Sequence, residues 1–110
     1  MKKAKVYMHE NWAGILIEDD EGFHYTYEKE YLNNDGAEPI SLTLPLKAST
    51  YSSKILFPFF DGLIPEGWLL AIAEKNWKLD IRDRMSILLV TCTDCIGAVS
   101  IHPLKSKDDE

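Results

Sequence analysis

The sequence predicts an α+β fold: an antiparallel β-sheet of four to five strands with two main α-helices packed on one side. Three observations predict it. Residues 5–27 hold three short apolar or alternating runs, separated by turns too short to connect parallel strands. Residues 40–44 repeat a period of two, and 96–101 read as a final strand. Residues 65–77 and 81–92 instead carry apolar positions at helical spacing.

Lys5 to His9 reads as a strand, with Val6 and Met8 on one side. Asn11-Trp12-Ala13-Gly14 reads as a turn, and Ile15 to Glu18 as the second strand. Asp19-Asp20-Glu21-Gly22 forms a loop in which Gly22 supplies a positive φ. Phe23 to Tyr27 alternates aromatic and polar residues and is the third strand. Glu28 to Asn33 allows one or two helical turns that carry Tyr31 and Leu32 inward, before Asn33-Asn34-Asp35-Gly36 breaks them. Ile40 to Leu44 reads as a strand with Ile40, Leu42 and Leu44 on one face, bounded by Pro39 and Pro45. Thr50 or Ser52 caps a short helix through Phe57, which Pro58 limits.

Residues 57–68 are the most apolar and aromatic dozen in the chain, and hold two of its five prolines and two of its six glycines. Apolar density places the stretch in the core or against a partner. Pro and Gly break and re-aim its backbone. Asp61 closes the segment before it or caps the next one. Pro65 suits the first position of a helix running to about Trp77. Gly67 weakens the first turn of that helix by about 0.5–1 kcal/mol relative to Ala. Close approach of another backbone explains a glycine there, and so does simple tolerance near a helix end. Leu69, Ile72 and Ala73 form one stripe of this helix, and Leu70, Ala73 and Trp77 another; Trp68 falls on neither. Asp80 then N-caps a helix whose apolar face is Ile81, Met85, Leu88, Leu89 and Cys92, with Asp83 in its first turn. Ile96 to Ile101 is the last strand. Residues 1–104 therefore read as one domain, and 105–110 as a charged tail.

Composition narrows the function. The 110 residues are 45% hydrophobic and 27% charged, as in ordinary globular domains, with a net charge of −6 and a pI of about 5.0. That balance argues against a nucleic-acid surface, which needs a basic patch to neutralise phosphates. No apolar run is long enough to span a membrane. Met-Lys-Lys-Ala-Lys is followed by no apolar run, so a secretory signal is not expected and a cytoplasmic setting is.

Little of the sequence points to catalysis. Cys92-Thr93-Asp94-Cys95 has the spacing of a zinc half-site or redox pair, but no second C-x-x-C accompanies it and His9, His24 and His102 are scattered. The pair also follows the C-terminus of a helix, the wrong end for stabilising a thiolate. The carboxylates Asp19, Asp20 and Glu21 read as a solvated loop. There is no G-x-x-x-x-G-K-[ST] phosphate cradle and no kinase H-R-D or D-F-G motif. The expectation is a protein that is not an enzyme and holds no metal or cofactor. Trp68 is the candidate contact residue: an indole off the helix stripes, of the type over-represented in interface hot spots, or else a core residue.

Three ordered runs carry a resemblance. They are Glu38-Pro39-Ile40-Ser41-Leu42-Thr43-Leu44-Pro45-Leu46, Phe59-Phe60-Asp61-Gly62-Leu63-Ile64-Pro65-Glu66-Gly67 and Thr93-Asp94-Cys95-Ile96-Gly97-Ala98-Val99. Ala13-Gly14-Ile15-Leu16 adds an early G-x-L. Together they resemble the N-terminal subdomain of HipA-type serine/threonine kinases, the toxins of bacterial persistence modules, over residues 4–102. Gly62 stands where that family usually has Asn, and Trp68 where its kinases often carry a polar or basic residue. The kinase core that comes after the subdomain in those proteins has no counterpart in these 110 residues. The resemblance thus implies a free-standing subdomain of a split toxin–antitoxin system, with a helix-turn-helix DNA-binding protein as a further partner. Its expected role is an antitoxin that binds and inhibits a HipA-like kinase through Leu63, Ile64, Glu66, Gly67 and Trp68. A regulatory subunit that completes the kinase is the alternative.

Overall fold

Side-chain alternation decides which face of each strand is buried. In this computed structural model, which describes residues 1–69, 80, 82–92 and 98–104, β1 (Lys2–Met8) buries Ala4 and Val6. β2 (Asn11–Asp19) buries Leu16, β3 (Gly22–Tyr27) buries Phe23, Tyr25 and Tyr27, and β5 (Val99–Leu104) buries Val99 and Ile101. β4 (Tyr51–Ser53) is a short edge strand. The five strands form one antiparallel sheet in the order β4-β3-β2-β1-β5. The described helices are α1 (Lys29–Leu32), α2 (Pro58–Asp61) and α3 (Arg84–Thr91). Phe60 of α2 and Met85 and Leu88 of α3 join the strand residues in one buried cluster, so the fold is α+β with the core on one face of the sheet. The other face carries Lys5, Tyr7, Ile15, Ile17, His24 and His102, all half-buried.

Two glycines have physical roles in the β2–β3 pair. Gly22 comes after the two-residue Asp20-Glu21 turn with φ 127°, as expected for that position. Gly14 lies where a Cβ would come 2.4 Å from the Thr26 carbonyl oxygen and 2.5 Å from the Tyr25 hydroxyl, so no larger residue fits. The Tyr25 side chain is fully buried, and its hydroxyl has no hydrogen-bond partner among the described residues.

Several expected elements take a different form. Asn11-Trp12-Ala13-Gly14 is not a turn but the start of β2; the turn lies at His9, with φ 57°, and Glu10. A register shift opposite Val6 and Tyr7 leaves Ala13 unpaired with β1, and its carbonyl accepts from the Glu28 N–H at 2.7 Å instead. Ile40 to Leu44 is not a strand. It folds into a turn in which the Leu44 N–H donates to the Ser41 carbonyl at 3.1 Å, burying Ile40 and Leu44 and leaving Leu42 outside. Its ladder is replaced by one side chain: the Tyr27 hydroxyl accepts from the Ile40 N–H and donates to the Leu44 carbonyl.

The helix expected through Phe57 is absent, because Thr50 and Ser52 spend their hydroxyls across strands, on Thr26 at 2.7 Å and His24 at 2.8 Å. Asp80 is not the cap of the next helix. Its carboxylate accepts from the Arg82 N–H, and Asp83 caps α3, accepting from the Ser86 N–H at 3.0 Å and the Ser86 hydroxyl at 2.7 Å. The last strand runs from Val99 to Leu104. Its ladder to β1 leaves the backbone groups of Val99, Ile101 and Pro103 facing away from the sheet; the Ile101 N–H donates to the Cys92 carbonyl at 3.1 Å, and Pro103 has no N–H. The stripes formed by Leu70, Ile72, Ala73 and Trp77, the positions Ile81, Cys95 and Ile96, and the charged tail lie outside the described residues.

Candidate functional site

The site begins with a proline that can start a helix but not continue one. Pro58 opens α2, and Phe60, two residues on, is fully buried. Its ring meets Phe57 at 6.1 Å, Phe59 at 5.3 Å and Tyr25 at 5.6 Å between centroids. This aromatic cluster anchors α2 to the sheet. Asp61 ends the helix, closing the segment before it. The chain then turns tightly, with the Gly62, Leu63 and Ile64 N–H groups donating back to Pro58, Phe60 and Asp61.

The expected contact residues divide. Leu63 and Ile64 are half-buried and pack against the core. The Leu63 carbonyl also accepts from the Cys92 thiol at 3.2 Å. Pro65, Glu66 and Gly67 are exposed and form a turn, closed by the Trp68 N–H on the Pro65 carbonyl at 3.1 Å. Helix begins at Trp68, three residues later than expected from Pro65. Around Gly67, no described atom lies within 4 Å of where a Cβ would stand, so the described residues provide no close backbone approach to explain it. Trp68 is half-buried, and Leu69 beside it is 57% exposed.

Arg84, at the start of α3, ties this segment together. Its Nε donates to the Asp61 carboxylate at 2.7 Å, and its guanidinium carbon lies 5.7 Å from the centre of the Trp68 ring. One cation thus spans the end of α2, the indole after the turn and the first residue of α3. Sequence reasoning missed this bridge because Asp61 and Arg84 are 23 residues apart, beyond any local spacing rule.

The remaining candidate groups are occupied or buried. Cys92 is fully buried, which suits a small apolar residue better than a reactive thiol. Asp19, Glu21 and His24 bring ligand atoms within 4.8 Å of one another. His24 already bonds Asp19 through one ring nitrogen, at 3.0 Å, and Ser52 through the other. The Asp19 carboxyl sits below its ordinary pKa, chiefly because it accepts from the Glu21 N–H and then because of His24. No helix among the described residues is long and apolar enough to cross a membrane.

Comparison with known proteins agrees with this architecture. The HipA N-terminal domain family profile matches residues 4–102. A solved structure described as the N-terminal domain of HipA toxin superposes with a TM-score of 0.73 at 30% identity, covering 96% of this chain and 94% of that one. An uncharacterized protein of Haemophilus influenzae is 34% identical over 105 residues, covering 96% of this chain and 95% of the relative. Y4mE of Sinorhizobium fredii, whose name assigns it provisionally to the kinases, is 25% identical over 97 residues, and the match spans only 23% of its length. By sequence and by fold, the chain belongs to the HipA N-terminal domain family.

Proposed function

We propose that this protein is a non-catalytic antitoxin that binds and inhibits a separate HipA-like serine/threonine kinase toxin. The observation that carries this reading is the held indole: Trp68 comes directly after the exposed Pro65–Gly67 turn, with its ring under Arg84 and Leu69 exposed beside it. A large side chain fixed before binding loses little entropy on docking, which is what makes tryptophan an effective anchor. Glu66, Gly67 and Trp68 form the contact, and Leu63 and Ile64 support it from the core side. A cytoplasmic setting and a helix-turn-helix DNA-binding protein in the same complex belong to this reading. With a net charge of −6, DNA is reached through that third protein.

A second reading has its own support. The same domain matches part of the much longer Y4mE, where it spans 23% of the length, so a subunit that completes a kinase is the alternative. The two separate in one experiment. A HipA-like kinase chain from the same genome is co-purified with this protein, and its autophosphorylation is measured with and without it. Inhibition is expected; activation would favour the completing subunit. Trp68→Ala is expected to weaken the complex by about 2 kcal/mol, roughly thirtyfold. Unchanged affinity and unchanged inhibition would remove Trp68 from the contact.

A further inference from the structure

Arg84 stands near Glu18 and Phe23, at one end of the β2–β3 pair. At the other end, the Glu28 N–H donates to the Ala13 carbonyl at 2.7 Å, which sets the start of α1 beside Trp12. There the surface encloses a cavity of about 250 Å³, lined by Asn11, Trp12, Glu28, Glu30, Tyr31 and Asn34. Two of these residues are carboxylates and none is a cation. Glu28 is half-buried and Glu30 exposed, and among the described residues neither side chain has an ion pair or a hydrogen bond. By contrast, Asp19, Asp61, Asp80 and Asp83 are each held by a neighbouring donor. The aromatic walls are fixed. The Trp12 Nε1–H donates to the Gly14 carbonyl at 2.9 Å. The Tyr31 ring stacks on Tyr27 with 6.1 Å between centroids, and its hydroxyl donates to the Glu38 carbonyl at 2.5 Å. The indole already draws one cation, Lys5, whose Nζ lies 4.7 Å from the ring centre and which does not line the cavity.

Two uncommitted carboxylates beside a fixed indole suit a planar cation. A guanidinium donates to carboxylates as a fork and stacks on an aromatic face, whereas an ammonium is a more strongly hydrated point charge. A hard metal ion takes more oxygen ligands than two carboxylates supply and gains nothing from the ring. Phosphate groups are repelled here. The complement of this cavity is therefore a basic surface, which a chain of net charge −6 attracts over a distance as well.

We propose that this cavity receives an arginine side chain of a basic protein partner, its guanidinium held by Glu28 and Glu30 and lying against Trp12. The inference does not depend on the kinase reading above. The probe is N-acetyl-arginine methylamide, titrated into the whole protein at constant low ionic strength and followed at the Trp12 indole N–H resonance, which Trp12→Phe assigns. The neutral isostere N-acetyl-citrulline methylamide is the control. Saturable binding of the arginine probe in the millimolar range is expected, weakened about tenfold in the double variant Glu28→Gln, Glu30→Gln, whose thermal unfolding stays that of the wild type. The double variant Asp20→Asn, Glu21→Gln removes the same charge at the far turn and should bind the probe like the wild type. No saturable shift with arginine, an equal response to citrulline, or full affinity in the Glu28, Glu30 variant overturns the proposal. An equal loss in the Asp20, Glu21 variant would make the effect one of net charge, and displacement of the probe by an equal concentration of calcium would make the occupant a metal ion; either result overturns it as well.

Discussion

Arg84 is the residue on which the candidate site turns. Its side chain and that of Asp61 are about two-fifths exposed, so water screens the pair and its contribution to stability is small. Its larger effect is geometric, because the guanidinium fixes where the indole rests. Arg84→Met keeps an apolar stem for helix α3 and removes the cation. We expect it to cost less than about 1 kcal/mol in stability. The indole N–H resonance of Trp68 should nevertheless shift and broaden, and kinase affinity should fall more than stability does. A variant with unchanged Trp68 spectra would show that Arg84 does not hold the ring. The residue type of Trp68 marked it as a candidate; its neighbour did not show, since the cation reaches it from a helix that begins 16 residues later.

At the scale of elements, capping decides where α3 begins. Asp80 and Asp83 both look like caps in the sequence. Only Asp83 has Ser86 three residues on, returning two hydrogen bonds to its carboxylate. Burial raises the Asp83 pKa, but the Ser86 bonds and Lys2 outweigh it and hold the carboxyl below its ordinary value of 3.8. Asp83→Ala should therefore cost about 1 kcal/mol near neutral pH, read by urea unfolding. The depressed value sets the sign of the pH effect: the contribution is present above the ordinary carboxyl range and is lost as pH falls through the folded-state pKa. Acidification should accordingly destabilise the wild type more than the alanine variant. The meander of β1, β2 and β3 was legible because its loops are short and its faces alternate. The Ile40–Leu44 turn and β4 were not, because hydroxyls distant in sequence replace the signals on which strand and cap rules depend.

For the whole molecule, three tyrosines, Tyr25, Tyr27 and Tyr31, sit in a mainly aliphatic core. Burial pushes the Tyr27 phenol up to about 12, and raises that of the fully buried Tyr25 further. A raised pKa gives a contribution fully present below the unfolded value of about 10 and lost as pH rises through the folded one. Stability should hold to about pH 10 and then fall, with the phenolate absorbance of Tyr25 and Tyr27 appearing together with unfolding; titration of both in the folded protein would contradict this. The fold class was readable because strand alternation and helical spacing are properties of single elements. The site was readable only as a segment, because its geometry comes from elements brought together by the sheet. The outer edge of β5 adds one more consequence at this scale. With the Ile101 donor committed to Cys92 and none at Pro103, an incoming strand would meet carbonyls with too few N–H groups to answer it. That edge is closed to fibre growth and to partners that recognise proteins by lengthening a sheet. A complex formed there would have to be read through side chains.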